Sequence, residues 1–348
     1  MILVALLLLG AAPQELTVVY SADRHSEVAP CHCENNPLGG VDRHVATLAA
    51  LRKAGAVLVL DGGDNFFASA EQADTPAAIA RAELIADALA KMNPAVITPG
   101  VLDYARGANA MHTLGQRAHA NWLVSNVNPP AGHSSLFARD FTAKIGEQKI
   151  LILGFWSEKT MPEEAKQEGY TLQDPVTVAK RAVEVIGPNV DLIIAIAQTD
   201  AQTEEALAGV EGISLVLSAH EGRLQFGARQ LGKGQIVSAG NAGKYMIRLD
   251  LHYRPPRPAL TAGIEVQKFY RDFTQLRARM AAVTDGSVRD DMELRFYNLQ
   301  QSAIYAKEST LMFNLLPMGA DIKGDLELLA RAKAIDPAGY ELSQPLQK

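Results

Sequence analysis

Short apolar runs alternate with amphipathic stretches from Leu16 to about Tyr253. The runs are Leu16–Tyr20, Ala56–Leu60, Ala95–Thr98, Trp122–Ser125, Ile150–Phe155, Asp191–Ala197 and Ser214–Ser218. Each is rich in Val, Ile and Leu and too short for a helix, as expected of strands buried on both faces. Between them, Val41–Lys53, Pro76–Lys91, Val176–Ile186 and Ala201–Ala208 repeat their apolar residues with the helical period of about 3.6. The alternation predicts an α/β layered fold. Gln235–Ala239, Lys244–His252 and Gly263–Tyr270 follow without helices and read as antiparallel strands completing a second sheet. The segment Arg254-Pro255-Pro256-Arg257-Pro258 then breaks regular structure. Beyond it, Asp272–Ala282 and Val288–Ser302 read as polar amphipathic helices and Leu311–Leu316 as a short strand. The expected division is a leader at 1–12, a main domain at 16–253 and a helical extension with a short strand at 254–348.

Composition narrows the function classes. The 348 residues carry 39 Asp+Glu against 33 Lys+Arg, a net charge of −6, and no Lys/Arg cluster. That balance argues against a nucleic-acid partner, which would require grouped cations. Two cysteines cannot build a disulfide framework, so the core must hold the fold. Ile2–Leu9 is an unbroken run of eight apolar residues followed by Gly10, Ala11 and Ala12. It falls short of the roughly 20 residues of a membrane span and fits a secretory signal peptide. The mature chain is therefore expected to be exported, periplasmic or secreted, with no transmembrane segment.

Ligands of open α/β sheets gather beyond the C-terminal ends of strands. Three such ends carry chemistry: Ser21-Ala22-Asp23-Arg24-His25, Asp61-Gly62-Gly63-Asp64-Asn65 and Ser218-Ala219-His220-Glu221-Gly222-Arg223. Carboxylates and imidazoles projecting from them could converge on one divalent ion. Cys31-His32-Cys33 lies in the first of these loops. Two cysteines flanking a histidine suit a soft metal ion, a redox thiol pair, or a strained and easily reduced disulfide. By contrast, His44, His112 and His119 read as packing or surface residues, Trp122 and Trp156 as core, and Phe66-Phe67 as hydrophobic padding or a pocket lining.

Asp23-Arg24-His25, Gly39-Gly40-Val41-Asp42-Arg43 and Leu58-Val59-Leu60-Asp61-Gly62-Gly63-Asp64 resemble, in this order, the calcineurin-like metallophosphoesterases. The similarity is to the branch of 5′-nucleotidases and periplasmic UDP-sugar hydrolases. It continues through Leu123–Asn128, Ile152–Phe155, Asp191–Ile194, Leu217–His220 and Ser238–Tyr245, covering about residues 16–253. The resemblance implies a four-layer α/β/β/α sandwich and a two-metal site. Carried over residue by residue, it assigns metal ligation to Asp23, His25, Asp64 and His220, and pairing with substrate anions to Arg24 or Arg223. Three features depart from the family pattern. Its Gly-Asn-His-Glu falls on Gly100-Val101-Leu102-Asp103, its Ser-His on Ala197-Gln198, and its Gly-His-x-His on Ala219-His220-Glu221-Gly222. The absence of the Asn-His pair, with cysteines near position 31, resembles a divergent subgroup carrying Cys or selenocysteine there.

Asp23, His25 and Asp64 suffice for one divalent ion such as zinc or manganese, whereas a second ion has only Asp64, His220 and the neutral Gln198. The leading expectation is an exported 5′-nucleotidase-type homologue with a depleted metal site. It would hydrolyse small phosphorylated molecules, of nucleotide type, slowly. The alternative is a non-hydrolytic metal-binding or thiol-redox module built around Cys31, His32 and Cys33. A third reading docks a protein partner through the helices at 272–302.

Overall fold

The computed structural model describes residues 14–33, 36–283, 286–306 and 308–341. The leader at 1–12 lies outside the described residues. The strands are β1 (Gln14–Ser21), β2 (Val57–Asp61), β3 (Val96–Ile97), β4 (Val127–Asn128), β5 (Phe141–Ile145), β6 (Gln148–Trp156) and β7 (Thr171–Leu172). They continue with β8 (Leu192–Gln198), β9 (Leu215–Ala219), β10 (Arg229–Leu231), β11 (Gly234–Ser238), β12 (Tyr245–Tyr253) and β13 (Thr310–Pro317). The helices are α1 (Val41–Ala54), α2 (Pro76–Met92), α3 (Gly107–Ala118), α4 (Glu163–Gln167), α5 (Pro175–Val185) and α6 (Ala201–Ala208). After β12 come α7 (Ile264–Ala282), α8 (Gly286–Gln300), α9 (Ala303–Ala306), α10 (Leu326–Ile335) and α11 (Pro337–Glu341).

Among the described residues, one sheet runs β13-β12-β1-β2-β3 and a second runs β10-β11-β9-β8-β6-β5. Strand periodicity explains why they stack. Leu16, Val18 and Tyr20 of β1 and Leu58 and Leu60 of β2 face Ile150, Ile152, Ile194, Ile196, Leu215 and Leu217 of the second sheet in one apolar layer. The opposite faces carry Val19 and Val59 against the first helical layer, and Leu151, Ile193 and Val216 against α5 and α6. Each sheet thus buries both faces, which is why its strands read as unbroken apolar runs. The result is the α/β/β/α sandwich. A hydrogen bond from Tyr20 Oη to the Ser218 carbonyl (2.9 Å) joins the two sheets near their functional ends.

Several elements differ from expectation. Residues 263–270 are not a strand but the first turns of α7, because Val266, Phe269 and Phe273 continue one buried stripe at helical spacing. The local Ile264/Val266 alternation was too short to distinguish the two periods. β12 pairs antiparallel with β1 in the first sheet, while β11 lies parallel to β9 in the second. Trp122–Ser125 forms only isolated bridges, at Trp122 and Leu123. The C-terminal segment adds β13 to the first sheet beside β12, and Leu328, Ala332 and Tyr340 complete the core against the first helical layer. No described helix is long and apolar enough to cross a membrane.

Asp87 of α2 ties three helices together. Arg117 of α3 donates to it at 2.6 and 2.8 Å, and Arg331 of α10 at 2.5 Å. The Arg117 hydrogen bond is the main favourable influence holding its carboxyl below the usual range. Its contribution is therefore present above the ordinary carboxylate pKa of about 4 and is lost as acid protonates it in the fold. Solvent screening limits that contribution to about 1 kcal/mol. Asp87→Asn should lower the melting temperature by roughly 2 °C at pH 7, and the deficit should shrink below about pH 3. Thermal melts at the two pH values check this.

Candidate metal centre

The site lies where the parallel strands of both sheets end. β1 delivers Asp23 and His25, β2 delivers Asp64, β8 ends in Gln198, and β9 is followed by His220. Asp23, His25 and Asp64 each offer a ligand atom, all within 4.8 Å of one another. The backbone makes this convergence by an unusual route. Asp23, His25, Ser26, Asp64, His220 and Ala242 all adopt positive φ, between 52° and 72°. Such conformations cost about 1–3 kcal/mol each in non-glycine residues and persist only where surrounding contacts enforce them.

Those contacts are specific. The Asp23, His25 and Ser26 amides donate to the carbonyls of Gly63, Asp64 and Asn65 at 2.8, 2.8 and 2.9 Å, locking the first two loops side by side. The Asp23 carboxylate accepts from the backbone amides of His220 (2.8 Å) and Gly222 (3.3 Å), and its carbonyl accepts from Ala242. Asp64 accepts from the Leu102 amide at 2.7 Å and from Gln198 Nε2 at 3.3 Å. Gly100 is required beside it, because a Cβ there would collide with the Asp64 carboxylate.

Asp103 organises the second loop, a role the sequence reading missed. Its buried carboxylate accepts from the amides of Asp64 (2.7 Å), Asn65 (2.8 Å), Phe66 (3.2 Å) and Gly100 (2.9 Å). Burial, then the charge of Asp64, push its pKa up to about 7, and the amide bonds oppose the rise. The available signal was a carboxylate three residues beyond a turn glycine, a pattern that favours side-chain-to-backbone bonding.

The donor set fits a divalent ion. Two carboxylates and an imidazole are hard-to-borderline ligands. Burial and the nearby Asp64 charge raise Asp23 to about 8, a cost that a bound cation would offset. Burial likewise lowers His25 and favours its neutral, ligating form. Gln198 is buried beside Asp64, with Nε2 donating to the Gly62 carbonyl at 2.7 Å and Oε1 without a partner. That oxygen is a neutral donor. His220 Nδ1 lies 3.6 Å from Asp64 Oδ2, outside the three-residue cluster, and that carboxylate is the main influence raising its pKa.

The other expected site residues fall elsewhere. Arg24 is 1% exposed, and its Nη2 faces His44 Nδ1 at 3.1 Å, so its guanidinium points into the protein and not toward a solvent-borne anion. His44 is equally buried, and its Nε2 meets the Gly243 carbonyl at 2.7 Å. Arg223 lies 3.8 Å from both Glu204 and Glu221, which already oppose its charge. Cys31 and Cys33 are joined as a disulfide, so in this state neither sulfur is a free thiolate for a soft metal. His32 is exposed and reaches Asp336 at 3.4 Å. Phe66 and Phe67 are fully buried core residues. Val101 and Leu102 place no polar side chain beside Asp64, only the Leu102 amide.

Asp103→Ala would strand four buried amides, each costly without an acceptor. It should destabilise the protein by on the order of 3 kcal/mol. Urea unfolding of the variant against the parent measures the loss.

No family model matches the chain, and no curated protein matches it in sequence. Solved structures do. A 5′-nucleotidase precursor from Thermus thermophilus is similar with a TM-score of 0.68 at 16% identity, over 95% of this chain and 60% of that one. The sulfate thiohydrolase SoxB, also from Thermus thermophilus, gives 0.65 at 16% identity over 94% and 61%. The calcineurin-like phosphoesterase YfkN from Bacillus subtilis gives 0.62 at 13% identity over 96% and 100%. This chain thus spans about three-fifths of the first two structures and the whole of the third. The chain shares the overall fold of these three structures.

Proposed function

We propose that the protein is a metal-dependent phosphoester hydrolase with a reduced centre that holds one divalent ion, zinc or manganese in type. The observation that carries this is the convergence of Asp23, His25 and Asp64 ligand atoms within 4.8 Å at the strand ends. Asp23, His25 and Asp64 would hold the ion, which when bound supplies Lewis-acid polarisation of the ester. The chain's own groups keep these ligands in place through the Asp103 and Leu102 contacts. His220 sits at the rim, 3.6 Å from Asp64, whose carboxylate is the main influence raising its pKa.

The reduced ligand set supports slow turnover. Two ions ordinarily clamp the attacking and leaving oxygens together, and here the second position has only Gln198 and His220 beside Asp64. Leu102 also replaces the family's leaving-group histidine, a kind of group that typically contributes 10²–10⁴-fold. The apolar run at Ile2–Leu9 supports export to the periplasm or beyond.

One observation favours a second reading, a thiol-redox module. Cys31, disulfide-bonded to Cys33, lines a cavity of about 510 Å³ that His25 also lines. In that reading the Cys31–Cys33 disulfide exchanges with a partner dithiol, which is oxidised to a disulfide as Cys31 and Cys33 take up its two electrons and two protons. The hydrolytic scaffold serves only to present the two cysteines.

Elemental analysis of protein purified without chelators should find about one divalent ion per chain, lost in Asp64→Ala. Two tightly bound ions would refute the reduced centre, and none would refute metal binding. Turnover of a phosphate monoester should fall far below the enzyme median of about 10 s⁻¹ and vanish with Asp64→Ala. A rate near that median would show that the missing histidine does not limit the reaction.

A further inference from the structure

We infer that the cavity beside His25 receives the leaving group of the ester, and that this group is a small non-aromatic polyol and not a nucleoside. The inference rests on reading Asp23, His25 and Asp64 as the centre of a metal-dependent hydrolase. The cavity, about 510 Å³, has the size of a small-molecule site and shares His25 with the triad. A leaving group attached to an ester at the triad has this space directly beside it.

The wall chemistry selects the ligand class. Among the described residues, no Phe, Tyr or Trp lines the cavity. Nucleobases are usually held by stacking on aromatic faces, worth about 1–3 kcal/mol per base. The nearest aromatic pair in sequence, Phe66 and Phe67, is sealed in the core at 0% and 1% exposure. The wall instead mixes donors and acceptors. Lys244 and Glu27 both line it, and neither has an ion pair or side-chain hydrogen bond among the described residues. Arg81 and Asp336 also line it and offset each other at 3.2 Å, with His32 on the same carboxylate at 3.4 Å. Charges of both signs balance, so the wall lacks the cation excess that a second anionic group would call for. Hydroxyl groups donate and accept at once and match such a surface.

Ser26 supplies an independent pointer. It lines the cavity at 5% exposure, its φ is 67°, and its buried Oγ has no hydrogen-bond partner. Buried polar groups are almost always paired in native proteins, so an orphan hydroxyl in strained backbone beside a candidate metal ligand calls for a partner. Rotation of its side chain would turn the Oγ toward the cavity that Ser26 lines, where a substrate hydroxyl would provide one. Glu27 would accept from a second hydroxyl, and Lys244 would donate to a third oxygen.

Calorimetry on the full chain loaded with Mn²⁺ tests this with sn-glycerol 3-phosphate and adenosine 5′-monophosphate as probes. Glycerol 3-phosphate should bind at least about 10-fold more tightly. Ser26→Ala and Glu27→Gln should each weaken it by about 3- to 10-fold, the range of one hydrogen bond, and leave the nucleotide unchanged. Ser26 Oγ bonds to nothing in the fold, so its removal should leave the melting temperature intact. Equal or tighter nucleotide binding, no binding of glycerol 3-phosphate, or indifference to both substitutions would overturn the inference. Mn²⁺ uptake is measured first on the same sample. Its failure would refute the hydrolase reading as well, whereas normal uptake with nucleotide preference would refute the polyol assignment alone.

Discussion

The buried carboxylate of Asp103 holds four main-chain amides that no strand or helix satisfies, those of Asp64, Asn65, Phe66 and Gly100. The loop after β2 can leave the sheet at a positive φ, with the buried Asp64 carboxylate turned toward Asp23 and His25, only because that acceptor is present. The loop after β1 then depends on the second loop, since the Asp23, His25 and Ser26 amides all donate to its carbonyls. The remaining constraint comes from the other sheet, where the His220 and Gly222 amides fix the Asp23 carboxylate. Three strand ends from two sheets are therefore coupled through backbone hydrogen bonds to a single site.

This arrangement separates stability from chemistry. The inter-sheet layer and the helical layers are apolar and need no ligand. The strained loops collect carboxylates whose burial is unfavourable in the absence of a cation, as the raised pKa of Asp23 shows. Strain and desolvation concentrated at one end of a well-packed sandwich are the physical signature of a binding site. Arg24 illustrates the division. Although it sits between two candidate ligands in sequence, its side chain turns inward to His44, which also bonds the Gly243 carbonyl, so it braces the loop from behind.

Much of this was legible in the sequence, for identifiable reasons. Strands buried on both faces leave apolar runs, and β1, β2, β6, β8 and β9 were found within a residue or two of their ends. The triad was legible because each member follows such a run. Elements with weak or mixed periodicity were not. α7 began with a strand-like alternation, and α10 was passed over though Leu328 and Ala332 help close the core. The roles of Asp103, Ser26 and the inward turn of Arg24 depend on positive φ values and contacts across the chain, which a linear pattern does not encode. The disulfide between Cys31 and Cys33 was one of several states their spacing allowed.

The central claim is that one cation joins Asp23, His25 and Asp64. Anomalous diffraction from crystals soaked in Mn²⁺ tests it most directly. The account predicts a single strong peak within about 2.0–2.3 Å of a ligand atom from each of the three residues. A second peak of equal strength between Asp64, Gln198 and His220, or no peak at the triad, would contradict it.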